Sequence, residues 1–415
     1  MNSSTVIAIH NEDEPSPKIT KRTIFSLLPS KIMYDTRQLT HSLKVGTALV
    51  LVSLLYLVDS LYEQVGENAM WAIMTVVVVF EFSAGATLSK GLNRGIGTIL
   101  GGGLGVLAAT LADQIGGSGE AIAVGIFVFI FGAAASYSRL IPAFKNFFDY
   151  GAMIFILTFN LVIVSGLRDK KIFDLARDRL LTIGIGFAIC IFASLLIFPV
   201  WSSDELHSSI ASKFHKIACS IEGCFDEYFG SVNEKDNQIT ARLDGFTSVL
   251  DSKSKDEILA KFARWEPWHG KFGFYHPWDK YLQIGEQLRE LAASTFSLRD
   301  CLQSPRQPSS KSLKLSVKEP CEAMASLLAC TLRELGQSIE NMKESKPGAL
   351  IVAQLQKTKL ELSVAISASK LGSLGKDDGI AVASFVFLLM EMVDKVEVLA
   401  KKVEQLGDLA NFTCH

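Results

Sequence analysis

Glu81, Lys90 and Arg94 lie in a stretch, WAIMTVVVVFEFSAGATLSKGLNRG over Trp71–Gly95, whose first half is apolar enough for the core of a bilayer. A single charge at mid-membrane costs about 2.5–3.5 kcal/mol on insertion scales, so such side chains face protein or a water-filled path, not lipid. The chemistry open to them is the passage of something polar across a membrane. The motifs of covalent chemistry are missing: GxSxG, HExxH, a P-loop, and GxGxxG at a strand–helix junction are all absent. The glycine-rich run Gly101–Gly105 sits inside an apolar helical pattern, without the strand–turn–helix context of a phosphate loop. The residues therefore point to transport and not to an enzyme, and they call for no cofactor and no metal.

The elements that must position these charges are apolar spans. A spanning helix needs about 20 largely apolar residues. Six candidates fit, near 41–59, 69–86, 95–113, 121–138, 150–167 and 180–200. Short loops between them favour antiparallel neighbours. Loops rich in Lys and Arg stay in the cytoplasm. Lys18, Lys21, Arg22, Lys31, Arg37 and Lys44 precede or open the first span, whereas the next loop carries only Asp59, Glu63 and Glu67. Lys90 and Arg94 follow the second span, Asp113 and Glu120 the third, Arg139 and Lys145 the fourth. This alternation places both termini in the cytosol. The fifth loop breaks it, since it should lie outside yet carries Arg168, Lys170, Lys171, Arg177 and Arg179. One reading is a miscounted span. The other is an anion funnel, because a low-dielectric mouth of one sign concentrates counter-ions, and several weak sites along a path favour conduction. Gly97, Gly101 and Gly105 recur every fourth residue and give the third span a smooth ridge for close helix packing.

After Trp201 the pattern changes to amphipathic helices of soluble type. The chain is 49% hydrophobic with a net charge of −2, which excludes a basic nucleic-acid binder. Ser203 or Asp204 is placed to cap a helix reaching Phe229, with Ile210, Phe214, Ile217, Ile221 and Phe225 along one face. Further helices are expected near 238–251, 254–265, 278–302, 319–343, 348–371 and 379–406. Pro267, Gly270, Gly273 and Pro277 forbid a continuous helix across 265–278, where Trp265, Trp268 and Trp278 are expected to plug the space between helices. The seven cysteines form no CxxC pair and read as reduced thiols. Ser304–Ser316 reads as an exposed linker open to a kinase. The expected fold class is all-α: a cytosolic segment over 1–40, a six-helix transmembrane domain over 41–200 and a cytosolic helical bundle over 201–415.

With these residues in view, the chain resembles the plant aluminium-activated malate transporter family along nearly its whole length. The resemblance rests on the Trp71–Gly95 stretch, LTFNLVIVSG at 157–166, the Arg179–Ile183 start of the sixth span, FPVWSSDELH at 198–207, the triplet Trp265-Glu266-Pro267 and LGDLANF at 406–412. It implies a homodimeric channel in the plasma or vacuolar membrane, with plasma membrane favoured. Such a channel passes malate, and chloride, nitrate or sulfate, down a gradient. It further implies that Lys90, Arg94, Lys145, Arg168 and Arg179 contact the anion in the pore, with Glu81 in a supporting role. Two departures stand out. Phe147 occupies a place where the family usually has a polar or basic group, and Ser203 replaces a common glycine in a segment linked in some relatives to γ-aminobutyrate. A coupled organic-anion transporter and an aromatic-acid efflux permease remain as alternatives.

Overall fold

The computed structural model describes residues 28–59, 62, 69–166, 172–229, 245–273, 275–303, 311–343, 348–368 and 376–413. The fifth loop with Arg168, Lys170 and Lys171 lies outside them, as do Lys18, Lys21, Arg22, Glu63, Glu67, residues 238–244, 304–310 and Cys414. The described residues form helices and no strand, with two isolated bridges, His269 with Phe272 and Lys343 with Thr413.

The first six helices are α1 (Leu28–Leu57), α2 (Met70–Val79), α3 (Ala84–Ile115), α4 (Gly117–Ser138), α5 (Pro142–Gly166) and α6 (Ile172–Leu196). Five of them carry apolar stretches long enough to cross a membrane; α2, with ten residues, does not. The expected second span, 69–86, is thus divided. Helix α2 ends at Phe80, which is extended at φ −67° and ψ 120°, and Ser83 starts α3 by accepting a hydrogen bond from the Ala86 amide at 3.3 Å. Thr87 Oγ1 fixes the corner between them, accepting from the Glu81 amide at 3.0 Å. A capping serine and a threonine competing for backbone groups favour a helix start over continuation. The consequence reaches the site: Lys90 and Arg94, expected in a loop, stand inside α3, and Lys145 stands on α5.

Two apolar clusters organise these helices. Ala48 and Val52 of α1, Ala72 and Val76 of α2, and Cys190 and Ala193 of α6 form one. Ala108, Ala109 and Ala112 of α3, Val124 of α4, and Phe159 and Ile163 of α5 form the other. Ile122, Ile126, Phe129 and Ile130 of α4 remain exposed, as expected of a face meeting lipid tails. The glycine ridge packs on α5: a Cβ at Gly97 would lie 2.4 Å from the Gly151 carbonyl oxygen, one at Gly101 2.7 Å from that of Phe155, and one at Gly105 3.0 Å from Val162. Backbone cannot step aside as a side chain can. Gly101→Ala is therefore expected to cost about 1–3 kcal/mol by overpacking, whereas at Gly103, with nothing within 4 Å, alanine is expected to be neutral or stabilising through helix propensity. Thermal unfolding of the two purified variants in detergent checks this.

Beyond Pro199 follow α7 (Ser202–Phe229), α8 (Gly245–Leu250), α9 (Lys253–Ala263), α10 (Trp278–Gln303), α11 (Lys311–Asn341), α12 (Gly348–Ala368) and α13 (Lys376–Ala410). They share one core. The stripe Ile210, Phe214, Ile217, Ile221 and Phe225 of α7 is buried against Tyr281, Ile284 and Leu288 of α10, Leu328 and Leu332 of α11, and Leu389 and Val396 of α13. Lys311–Ser316, read as linker, instead opens α11. The tryptophan plug is corrected: Trp278 is buried, but Trp268 is 71% exposed. Phe272 takes the inner place, packing on Trp278 at 5.2 Å and on His276 at 5.0 Å. Only alternate side chains of such a short hairpin can turn inward.

Within this core Tyr281 joins two histidines. Its hydroxyl lies 2.9 Å from His207 Nδ1 and 3.4 Å from His276 Nε2, and His207 Nε2 lies 3.2 Å from the Glu340 carbonyl oxygen. Burial, and then the neighbouring His207, pushes His276 from its ordinary 6.5 down to about 4. Burial also lowers His207. The unfolded chain then binds more protons than the folded one between about 6.5 and about 4. Stability is full above that window and falls as pH drops through it. His276→Gln is expected to flatten the decline, as read from melting temperature against pH.

Candidate functional site

Arg94 and Arg179 meet inside the apolar helices. Arg94 is one turn beyond Lys90 on α3, Arg179 is in the second turn of α6, and they are 6% and 2% exposed. Together with Trp71 of α2, Thr98 of α3 and Thr158 of α5 they line one small cavity of about 10 Å³. The Arg179 guanidinium stacks on the Trp71 ring, 3.6 Å from its centroid, a contact worth about 2 kcal/mol when desolvated. Arg94 Nη1 donates to the Tyr150 hydroxyl at 3.3 Å. Among the described residues neither guanidinium has a carboxylate within ion-pair distance. Arg94 Nε, Arg179 Nη2 and the Thr98 hydroxyl are buried with no hydrogen-bond partner.

Buried polar groups nearly always find partners, and each exception calls for an explanation. Here three unpartnered polar groups belong to residues lining one cavity that carries two positive charges and no compensating acid. The arrangement suits a transient anionic partner. The cavity holds about one water-sized group: a carboxylate oxygen fits, a whole dicarboxylate does not. In this conformation the space between the two guanidiniums is a constriction.

The other expected site residues fall elsewhere. Lys90 is half-exposed and paired with the Glu81 carboxylate, so the lead acid of the sequence already holds a cation. Lys145 is exposed on α5. Nearby, Arg139 Nε donates to Asp149 at 2.7 Å, and Asn93 Nδ2 donates to the Phe147 carbonyl at 3.0 Å. Phe147 thus holds the α3–α5 contact through its backbone, a role indifferent to its side chain. Arg168 lies outside the described residues. Sequence reasoning missed Thr98 and Tyr150. Thr98 had a signal, being one helical turn after Arg94; Tyr150 had none, because its contact spans 56 residues.

The triplet Trp265-Glu266-Pro267 acts at a second place. Helix α7 is capped neither by Ser203 nor by Asp204 but by Glu266, brought from 64 residues away. Its buried carboxylate accepts from the Ser202 amide at 2.6 Å, the Ser203 amide at 3.1 Å and the Ser203 hydroxyl at 2.5 Å. A carboxylate on the free amides of a helix N-terminus is favoured by hydrogen bonding and by the helix dipole together. Ser202 Oγ in turn donates to Ser83 Oγ at 2.8 Å, and the Ala84 amide to the Val200 carbonyl at 3.0 Å. The starts of α3 and α7 are thereby joined. Gly85 is required there, since a Cβ would lie 2.3 Å from the Phe262 carbonyl oxygen. His269 is taken up by this junction: Nδ1 donates to the Pro267 carbonyl at 2.8 Å, Nε2 is 2.9 Å from Ser203 Oγ, and the ring stacks on Trp201 at 3.7 Å.

The family profile described as aluminium activated malate transporter matches residues 32–378. Aluminum-activated malate transporter 12 of Arabidopsis thaliana is 44% identical over 342 residues, covering 81% of this chain and 60% of that protein. Aluminum-activated malate transporter 2 of the same plant is 40% identical over 382 residues, covering 91% and 76%. Aluminum-activated malate transporter 1 of Triticum aestivum is 36% identical over 392 residues, covering 91% and 83%. The chain therefore spans 60% of the length of the first of these relatives. A multi-pass helical protein with buried guanidiniums between its apolar helices, matched over most of its length by that profile, belongs to the aluminium-activated malate transporter family.

Proposed function

We propose that the protein is a passive anion channel that passes malate and smaller inorganic anions such as chloride, nitrate and sulfate. The observation that carries this reading is the Arg94–Arg179 cavity, with its unpartnered donors and no acid. Charge-assisted hydrogen bonds from guanidinium to carboxylate are short and strong, so they offset part of the dehydration of an anion leaving water. Lys90, Lys145 and Arg168 serve as further stops, and Glu81 sets the position of Lys90. Two subunits assemble the pathway. Residues 41–200 conduct, residues 201–415 regulate from the cytosol, and residues 1–40 precede the first span on the same side; a kinase acts on the serine-rich stretch. The channel resides in the plasma membrane.

Passive conduction fits the intramembrane charges better than coupled transport does. A proton relay uses several acidic or histidine groups, and Glu81 is held by Lys90. In voltage-clamped oocytes the reversal potential is expected to follow the malate and chloride gradients and to ignore external pH and sodium. A reversal potential that tracks protons or sodium would replace the channel with a secondary transporter.

A further inference from the structure

We infer that a phosphate monoester binds in the large cavity where α1 meets α7, at a site separate from the Arg94–Arg179 constriction. The cavity measures about 740 Å³ and its walls include Arg37, His41 and Lys44 of α1, Asp204, Glu205 and Lys216 of α7, and Lys255 of α9, with the hydroxyls of Thr40, Ser208 and Ser209 between them. Lys44 is the telling residue. It is 2% exposed, and among the described residues its ammonium has neither a hydrogen-bond nor an ion-pair partner. The ammonium keeps contact with the cavity space, whereas His41 Nδ1, one turn away, is fully buried and unpartnered. A buried lysine without a partner is destabilising unless something anionic meets it. The acids close by are engaged or outnumbered: Glu81 is held by Lys90 and Glu205 by Lys255, which leaves Asp204 against Arg37, Lys44 and Lys216.

The size and chemistry select the ligand. Cavities of roughly 300–1,000 Å³ hold small molecules and headgroups. A phosphate monoester brings close to two negative charges and three acceptor oxygens, which matches several cations with the hydroxyls of Thr40, Ser208 and Ser209. A single carboxylate would leave most of these donors unused. Two sources share this chemistry, the headgroup of a phosphorylated lipid and a soluble phosphate ester. Leu39 and Leu43, exposed on the same turns of α1, offer apolar surface for acyl chains beside the headgroup.

The test uses the full-length protein in phosphatidylcholine nanodiscs, with and without a phosphorylated phosphatidylinositol, and separately with inorganic phosphate. Binding is read by native mass spectrometry and by ligand-dependent thermal protection. Protection by the phosphorylated lipid alone supports the site and assigns a lipid; protection by inorganic phosphate in plain nanodiscs supports it and assigns a soluble ester. Lys44→Met is expected to weaken binding about tenfold, one charge-assisted contact, while the unliganded protein melts at the same temperature or higher because a mostly buried side chain no longer carries an unpaired charge. Lys216→Gln, exposed on the opposite wall where its ammonium donates to Ser248 Oγ at 3.1 Å, is expected to weaken binding and to shift the melting temperature little, since only an exposed hydrogen bond is lost. The inference is overturned if the wild-type protein binds neither ligand, or if both variants bind as it does. No current is measured, so this outcome is independent of the conduction reading.

Discussion

Arg179→Glu is expected to reduce malate current at least about tenfold in voltage-clamped oocytes, with the channel still at the cell surface. The guanidinium is buried on the Trp71 ring beside Arg94. Unit charges about 4 Å apart interact by about 4 kcal/mol at an effective dielectric of 20, so even a heavily screened reversal of sign exceeds the 1.4 kcal/mol that makes a tenfold change. A glutamate at 179 also faces Arg94 and can pair with it, which keeps the helices together and empties the cavity of free positive charge. Arg179→Lys retains the charge but loses the planar stack, and a partial loss is expected. Lys90→Glu is expected to have a smaller effect than Arg179→Glu, because Lys90 is half-exposed and already compensated by Glu81. This ranking distinguishes the structure from a uniform ring of cations. Undiminished current in Arg179→Glu would sink the pore assignment.

Glu266→Ala is expected to destabilise the protein by about 3 kcal/mol or more, through loss of three charge-assisted contacts worth about 1.5–3 kcal/mol each before the relaxation of their partners. The Ser202 and Ser203 amides would be left buried at the start of α7, and the serine link from Ser202 to Ser83 would lose its anchor. Both a lower melting temperature and a loss of surface-normalised current are expected, because one carboxylate holds a core helix and the start of the helix that bears Lys90 and Arg94. Ser203→Gly, which removes the hydroxyl's contacts to Glu266 and His269 but leaves the backbone amides capped, is expected to cost less, about 1–2 kcal/mol. Wild-type melting and wild-type current in Glu266→Ala would show that the junction carries neither role.

Much of the architecture was legible in residue order. The apolar runs gave the spanning helices because burying backbone in lipid demands helix, and length then follows from bilayer thickness. The glycine spacing on α3 announced a helix contact, and α5 supplies it. The stripe of α7 announced its buried face. Boundaries were less legible. Nothing in the hydropathy of 69–86 marks the extended corner at Phe80–Ser83, since a capping serine and a threonine bonded to Glu81 decide it. That corner moves Lys90 and Arg94 from a loop into a helix and sets which faces they present.

The sequence by itself determined the class of protein: helices of spanning length, charges that lipid does not tolerate alone, and a second set of amphipathic helices with a core of their own. These follow from local terms, periodicity and transfer free energy, which depend on neighbours in the chain. Only the tertiary structure decided which charges are equivalent. Five cations looked alike as a list, yet Lys90 has a carboxylate while Arg94 and Arg179 share a cavity without one. Likewise Glu266 became the cap of a helix that begins 64 residues earlier, and Lys44 became a buried charge without a partner. Electrostatic energy depends on distance in space and on exclusion of water, and neither is a property of position along a chain.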